Sequence, residues 1–162
     1  NRFNANYGDV FILPDPDIVK ETQIVPGVDG QKMSKSYNNT IPIFADNDTI
    51  KNQVMNIVTD SAGLNDPKDT NTPLFKIYSL FLDIDSKNEL TDRYNTPGLK
   101  YMEIKEELVD TIISFFEKNK SKKEKLLLNI DEVDEKMRLG KSKAQKVAQQ
   151  TLEKVKSATG LL

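Results

Sequence analysis

Gly30-Gln31-Lys32-Met33-Ser34-Lys35-Ser36-Tyr37-Asn38-Asn39-Thr40 separates two kinds of sequence in this 162-residue chain. Before it, short apolar runs alternate with turn formers. Val10-Phe11-Ile12-Leu13 is followed by Pro14 and Pro16, and Gln23-Ile24-Val25 by Pro26 and Gly27. Runs of this length between breakers read as strands or strand edges buried against a neighbour. After about residue 45 the apolar spacing changes to threes and fours, the helical period. The expected fold is mainly α, with a short α/β segment ahead of a helical bundle.

The helical part carries its own punctuation. Asp46, Asn47 or Asp48 can cap a helix whose Ile50, Val54, Ile57 and Val58 share a face. Thr72-Pro73 pairs a capping hydroxyl with a proline suited to the first turn. Leu74, Phe75, Ile77, Tyr78, Phe81 and Leu82 then surround most of the helix, the pattern of a central element. Ser86-Lys87-Asn88-Glu89 and Ser121-Lys122-Lys123-Glu124 have the spacing of capping boxes and predict two helix starts. Tyr101, Ile104, Leu108, Ile112 and Phe115 predict a helix of roughly five turns between them. Val133 and Met137, then Ala144, Val147, Ala148, Thr151, Leu152 and Val155, continue to a stop at Gly160.

The totals exclude several chemistries. There is no cysteine and no histidine, so thiolate metal sites, disulfides and imidazole-based triads are absent from this chain. No apolar run approaches the roughly 20 residues of a membrane-spanning helix, and the expected location is the cytoplasm. The formal net charge of −2 conceals a gradient. Residues 1–99 carry 9 basic and 14 acidic side chains, whereas residues 118–156 carry 12 basic and 6 acidic. The basic C-terminal third is either a solvated helical face with interspersed ion pairs or a contact for RNA phosphates.

Two ammonium groups three residues apart, flanked by Ser34 and Ser36 and preceded by Gly27 and Gly30, suit a phosphate-rich ligand. A lysine is a compact charge on a flexible stem, able to follow a phosphate as charge develops on it. The spaced glycines of a Walker loop are missing. The bland alternative is a polar surface loop with incidental lysines.

The string Lys32-Met33-Ser34-Lys35-Ser36 is identical to the "KMSKS" signature of class I aminoacyl-tRNA synthetases. A chance match to one given pentapeptide in such a chain is on the order of one in twenty thousand. The flanks narrow the resemblance to bacterial tryptophanyl-tRNA synthetases. They comprise Arg2-Phe3-Asn4, Tyr7-Gly8, Phe11 and Pro14; Val25-Pro26-Gly27, Asp29-Gly30 and Tyr37; and Asn39-Thr40-Ile41-Pro42. Val58-Thr59-Asp60-Ser61, Gly140, Lys143-Ala144 and Gly160-Leu161 extend it downstream. The second family signature, a "HIGH"-type sequence, is absent because the chain has no histidine. The expectation is therefore the C-terminal half of a synthetase about twice this length, inactive alone.

What the resemblance implies is specific. Residues 1–45 would be the last part of a Rossmann-like catalytic domain. Residues 46–162 would form a helical anticodon-binding domain, with the last helix able to pack back on the catalytic one. Lys35 would meet the β- and γ-phosphates of ATP, assisted by Lys32, and Ser34 and Ser36 would hydrogen-bond the phosphates or tie the loop. Met33 would anchor the loop by packing, and Ile24 or Val25 would offer backbone groups to adenine. Arg138, Lys141, Lys143 and Lys146 would face tRNA(Trp), with Arg93, Tyr94, Tyr101 and Arg138 available for base contacts. Mg2+ would arrive with the nucleotide, with no metal held by the protein, and the full enzyme would be a homodimer acting on L-tryptophan. Three alternatives stand beside this: a tyrosyl enzyme of the same architecture, a non-catalytic helical RNA-binding module, and a plain interaction bundle.

Overall fold

A computed structural model describes residues 1–20 and 22–161. Its ordered elements are helical: α1 (Arg2–Tyr7), α2 (Asn47–Met55), α3 (Pro73–Ser79), α4 (Ile84–Asn95), α5 (Tyr101–Leu127) and α6 (Ile130–Thr159). The chain forms two compact units, Ile18–Ser121 and Asn1–Asp17 with Lys122–Leu162. Among the described residues no helix is long and apolar enough to cross a membrane.

The larger unit holds the core. Asp46 caps α2, accepting from the Thr49 amide at 2.8 Å, and the helix turns Ile50 and Val54 inward. Thr72 caps α3, with Pro73 following it and Leu74, Phe75, Ile77 and Tyr78 all buried. α4 contributes Leu90 and Tyr94, and α5 contributes Ile104, Leu108, Val109 and Ile112 from its first half only. Phe75 and Tyr94 meet edge to face with ring centroids 5.0 Å apart, the geometry their quadrupoles favour.

Polar clamps join the helices at their margins. The Arg93 guanidinium on α4 grips the Glu107 carboxylate on α5 through two hydrogen bonds of 2.8 and 2.6 Å. The Tyr78 hydroxyl donates to the same carboxylate at 3.4 Å. Lys105 on α5 donates to the carbonyls of Met55 at 2.8 Å and Ile57 at 2.7 Å, satisfying acceptors at the end of α2 that have no helical partner. Lys68, only 5% exposed, gives its ammonium to the carbonyls of Ala62 and Gly63 and lies 5.5 Å from the Tyr101 ring centroid.

In the smaller unit, α1 ends at Gly8, whose φ of 88° suits a residue without a Cβ. α6 has no buried residue. Lys136–Glu132 and Arg138–Glu135 pair along its surface. The helix closes at Gly160 in the left-handed conformation, with the Leu161 amide bonded to the Lys156 carbonyl at 2.9 Å.

Three local expectations are corrected. Val10–Leu13 is not a buried strand: Ile12 is 98% exposed. Both backbone groups of Phe11 are taken by the Asn4 side-chain amide, at 2.7 and 3.0 Å, so one carboxamide does what a neighbouring strand would do. Gln23–Val25 forms no strand either; the one β-bridge among the described residues joins Pro26 to Lys32. Neither serine box starts a helix. α4 is capped by Asp83, which accepts from the Ser86 amide at 2.8 Å. α5 runs through Ser121, because the surrounding Lys, Glu and Leu are good helix formers with no Gly or Pro among them.

Candidate functional site

The lysine loop lies in the larger unit as a small hairpin built on a buried asparagine. The Pro26–Lys32 bridge forms its neck. The Gly27 amide donates to Gln31 O at 2.6 Å and the Met33 amide to Val25 O at 2.9 Å. Gly30 turns the tip at φ 83°, a conformation that an L side chain seldom takes. Beyond the neck, Ser34 caps a single 3-10 turn, Lys35–Tyr37, by accepting from the Ser36 amide at 3.3 Å. The two serine hydroxyls lie 2.8 Å apart. Asn38 then reverses the chain in the left-handed region, φ 54°, where asparagine is among the residues that fit.

Asn39 occupies the centre at 2% exposure. Its side-chain oxygen accepts from the Ser34 amide at 2.7 Å. Its side-chain nitrogen donates to Asp29 Oδ1 at 2.7 Å and to Lys32 O at 3.2 Å. Asp29 Oδ1 also accepts from the Gln31 amide at 3.0 Å. The partners fix the amide orientation, since an N–H must meet the oxygen and two acceptors must meet the nitrogen. Gly27 is required beneath it: a Cβ there would sit 2.3 Å from the Asn39 side-chain nitrogen. The hairpin is tied to the helices by the Val58 amide, which donates to Val28 O at 2.8 Å.

Lys32, Lys35 and Ser36 are exposed on this frame, while Met33 and Ser34 are half-buried and Met33 packs on the core. Among the described residues the ion pairs are Arg93–Glu107, Lys100–Glu103, Lys136–Glu132 and Arg138–Glu135, so both loop lysines keep their charge unpaired. Val25 is half-buried and Ile24 is 64% exposed. Ile24, Pro26 and Gly30 border an open cavity of about 610 Å³ that also touches Lys20, Lys76 and Lys87. Phosphate chemistry fits this donor set of ammonium, hydroxyl and amide groups. Asp29, the nearest carboxylate in sequence, is turned to Asn39 and Gln31.

The second set of candidates lies in the smaller unit. Lys141, Lys143 and Lys146 are exposed on α6. Arg138 is also exposed, but its guanidinium is held by Glu135 through two 2.8 Å hydrogen bonds. The base-contact candidates of the larger unit are occupied in packing: Tyr94 is fully buried, Arg93 is bound to Glu107, and the Tyr101 hydroxyl donates to Asp60 at 2.8 Å. Burial raises the Tyr101 pKa, and the Asp60 carboxylate beside it adds to the rise. Sequence reasoning missed Asn39, Asp29 and the packing need at Gly27. No local signal marks them: an Asp and an Asn in a polar loop read as solvated side chains until the chain folds back on itself.

Comparison with known proteins places the chain. The model of the family described as "tRNA synthetases class I (W and Y)" matches residues 1–155. A tryptophan–tRNA ligase from Fusobacterium nucleatum is 44% identical over 162 residues, covering 99% of this chain and 50% of the relative. One from Campylobacter jejuni is 40% identical over 161 residues, again covering 50% of the relative. The crystal structure of C. jejuni tryptophanyl-tRNA synthetase complexed with ADP and tryptophane superposes with a TM-score of 0.78 at 39% identity. It covers 98% of this chain and 50% of that one. The chain thus spans about half the length of the relatives it matches. It belongs to the class I tRNA synthetases, in the family that comprises the tryptophan and tyrosine enzymes.

Proposed function

We propose that this chain supplies the pyrophosphate-stabilising loop and the tRNA-binding helices of an enzyme that activates tryptophan with ATP and transfers it to tRNA(Trp). The observation that carries this reading is the hairpin itself: two exposed ammonium groups, in none of the ion pairs among the described residues, on a frame closed by Asn39. The relatives named above are tryptophan enzymes, which favours tryptophan over tyrosine. Membership of a ligase family with an intact signature loop favours catalysis over a free-standing RNA-binding module or interaction bundle.

In the first step the tryptophan carboxylate attacks the α-phosphorus of ATP in line, the bond to the bridging oxygen breaks, and pyrophosphate leaves. The terminal ribose hydroxyl of the tRNA then displaces AMP from the adenylate. Charge builds on the departing β- and γ-phosphates, and this is where a cation placed in advance lowers the barrier. Lys35 carries that role with Lys32 beside it. Ser34 and Ser36 donate to phosphate oxygens or hold the turn, while Met33 seats the loop. Backbone groups at Ile24 and Val25 meet adenine, and Mg2+ enters bound to the nucleotide. Residues 1–45 complete the catalytic domain and residues 46–162 form the anticodon-binding part, with Arg138, Lys141, Lys143 and Lys146 toward tRNA. The complete enzyme works as a cytoplasmic homodimer.

The test is ATP–pyrophosphate exchange by a complete synthetase carrying this chain. Lys35→Ala should lower kcat by about 10²- to 10³-fold while the tryptophan KM stays within about threefold. Equal losses in kcat and in tryptophan affinity would refute the assignment.

A further inference from the structure

We infer that Asn39, backed by Asp29, is the positioning residue of the signature loop. Its buried carboxamide sets the spacing and direction of Lys32 and Lys35. The inference rests on the function proposed above and names the part of the site that makes the lysines effective.

The argument begins with where the three hydrogen bonds land. One holds the Lys32 carbonyl and another the Ser34 amide, so the carboxamide braces the backbone on both sides of Met33, between the two lysines. Ser34 in turn caps the 3-10 turn that opens with Lys35. The position of each ammonium relative to the other therefore passes through a single side chain. That side chain is 2% exposed. Its third bond, to Asp29, fixes it from behind, and the main-chain carbonyl of Asn39 accepts from the Val28 amide at 3.0 Å. Gly27 leaves the space it occupies. A surface loop with incidental lysines has no need of a dry, fully bonded centre, whereas a loop that must present two charges in register does.

The chemistry of the frame dictates its test. Asn39→Asp keeps size and shape and can still accept from Ser34, but turns the donor into an acceptor facing Asp29 Oδ1 and Lys32 O. Repulsion between two carboxylates in a water-poor site opens the frame. Pairing it with Asp29→Asn removes the facing carboxylate and lets an amide nitrogen stand where Asp29 Oδ1 stood, donating to residue 39 at the cost of the Gln31 contact. A complete synthetase carrying this chain is assayed by ATP–pyrophosphate exchange, with Lys35→Ala as internal reference. Asn39→Asp should lower kcat by about 10- to 100-fold with the tryptophan KM unchanged, and the double variant, freed of the facing carboxylates, should recover at least about threefold over the single one. A merely structural role would lower kcat only in proportion to the folded fraction, which circular dichroism reads.

The failures separate. If Lys35→Ala is as active as wild type, the functional reading falls and this inference with it. If Lys35→Ala is slow while Asn39→Asp matches wild type, or the double variant is no better than the single, the inference alone is overturned. Should Asn39→Asp not accumulate as folded protein, amide hydrogen exchange on the wild type decides. The Ser34 amide should exchange at least about tenfold more slowly than the Lys35 amide, and equal rates overturn the proposal.

Discussion

Lys105→Met separates a buried polar clamp from a surface charge. The substitution keeps the unbranched apolar stem and removes only the ammonium. Its two acceptors, Met55 O and Ile57 O, then lose their donor; Ile57 is 1% exposed and Met55 half-buried. Hydrogen bonds from a charged donor contribute about 1.5–3 kcal/mol each, and unsatisfied buried carbonyls lie in the same range. Burial already lowers the Lys105 pKa, and the half-buried site admits some water once the ammonium is gone. Both offsets point to the lower end, so the expected loss is about 2–3 kcal/mol. For a chain of this size that is a fall in Tm of about 4–12 °C. Lys100→Met is the comparison: its partner Glu103 sits at 3.0 Å, but the lysine side chain is 62% exposed, and a shift below about 2 °C is expected. Thermal unfolding followed by far-ultraviolet circular dichroism measures both. Equal shifts for the two variants would show that the carbonyls at the end of α2 do not depend on Lys105, and the clamp reading would be wrong.

Two more outcomes follow from charges described above. The Arg93 hydrogen bonds hold the Glu107 carboxyl below its ordinary value of 4.5. A depressed carboxylate adds stability that is present above the unfolded value and is lost as pH falls through the folded one. The stability gap between wild type and Glu107→Gln should therefore narrow in urea titrations as pH falls below the ordinary value of 4.5, and a gap independent of pH would contradict the pairing. On α6, replacing Lys141, Lys143 and Lys146 together with alanine should flatten the salt dependence of tRNA binding by about two units in the logarithmic slope. An unchanged slope would remove those side chains from the RNA contact.

Much of the helical architecture is legible in the sequence because its signals are local. Asp46 and Thr72-Pro73 start their helices and Gly160 ends α6, since a cap is a matter of a few adjacent residues. Ser86 is misread because Asp83, three residues earlier, caps the helix by accepting from the Ser86 amide, which puts Ser86 inside α4 rather than at its start. Val10–Leu13 fails for a longer-range reason, as pattern alone does not reveal that Asn4 will take both backbone groups of Phe11. In the loop, the lysines and serines announce their chemistry. The frame does not, because Asn39, Asp29 and Gly27 matter only once the chain has turned back on itself.

The hairpin is closed by hydrogen bonds, from its own backbone and from one carboxamide, and its apolar contact with the core runs through Val28 and Met33. Heat-capacity change tracks the apolar area exposed, so lifting the hairpin off the core carries some of it, while breaking the bonds inside the hairpin carries little. Chilling weakens aliphatic contact before it weakens those bonds, so the seat of the hairpin on the core loosens in the cold ahead of the lysine spacing within it.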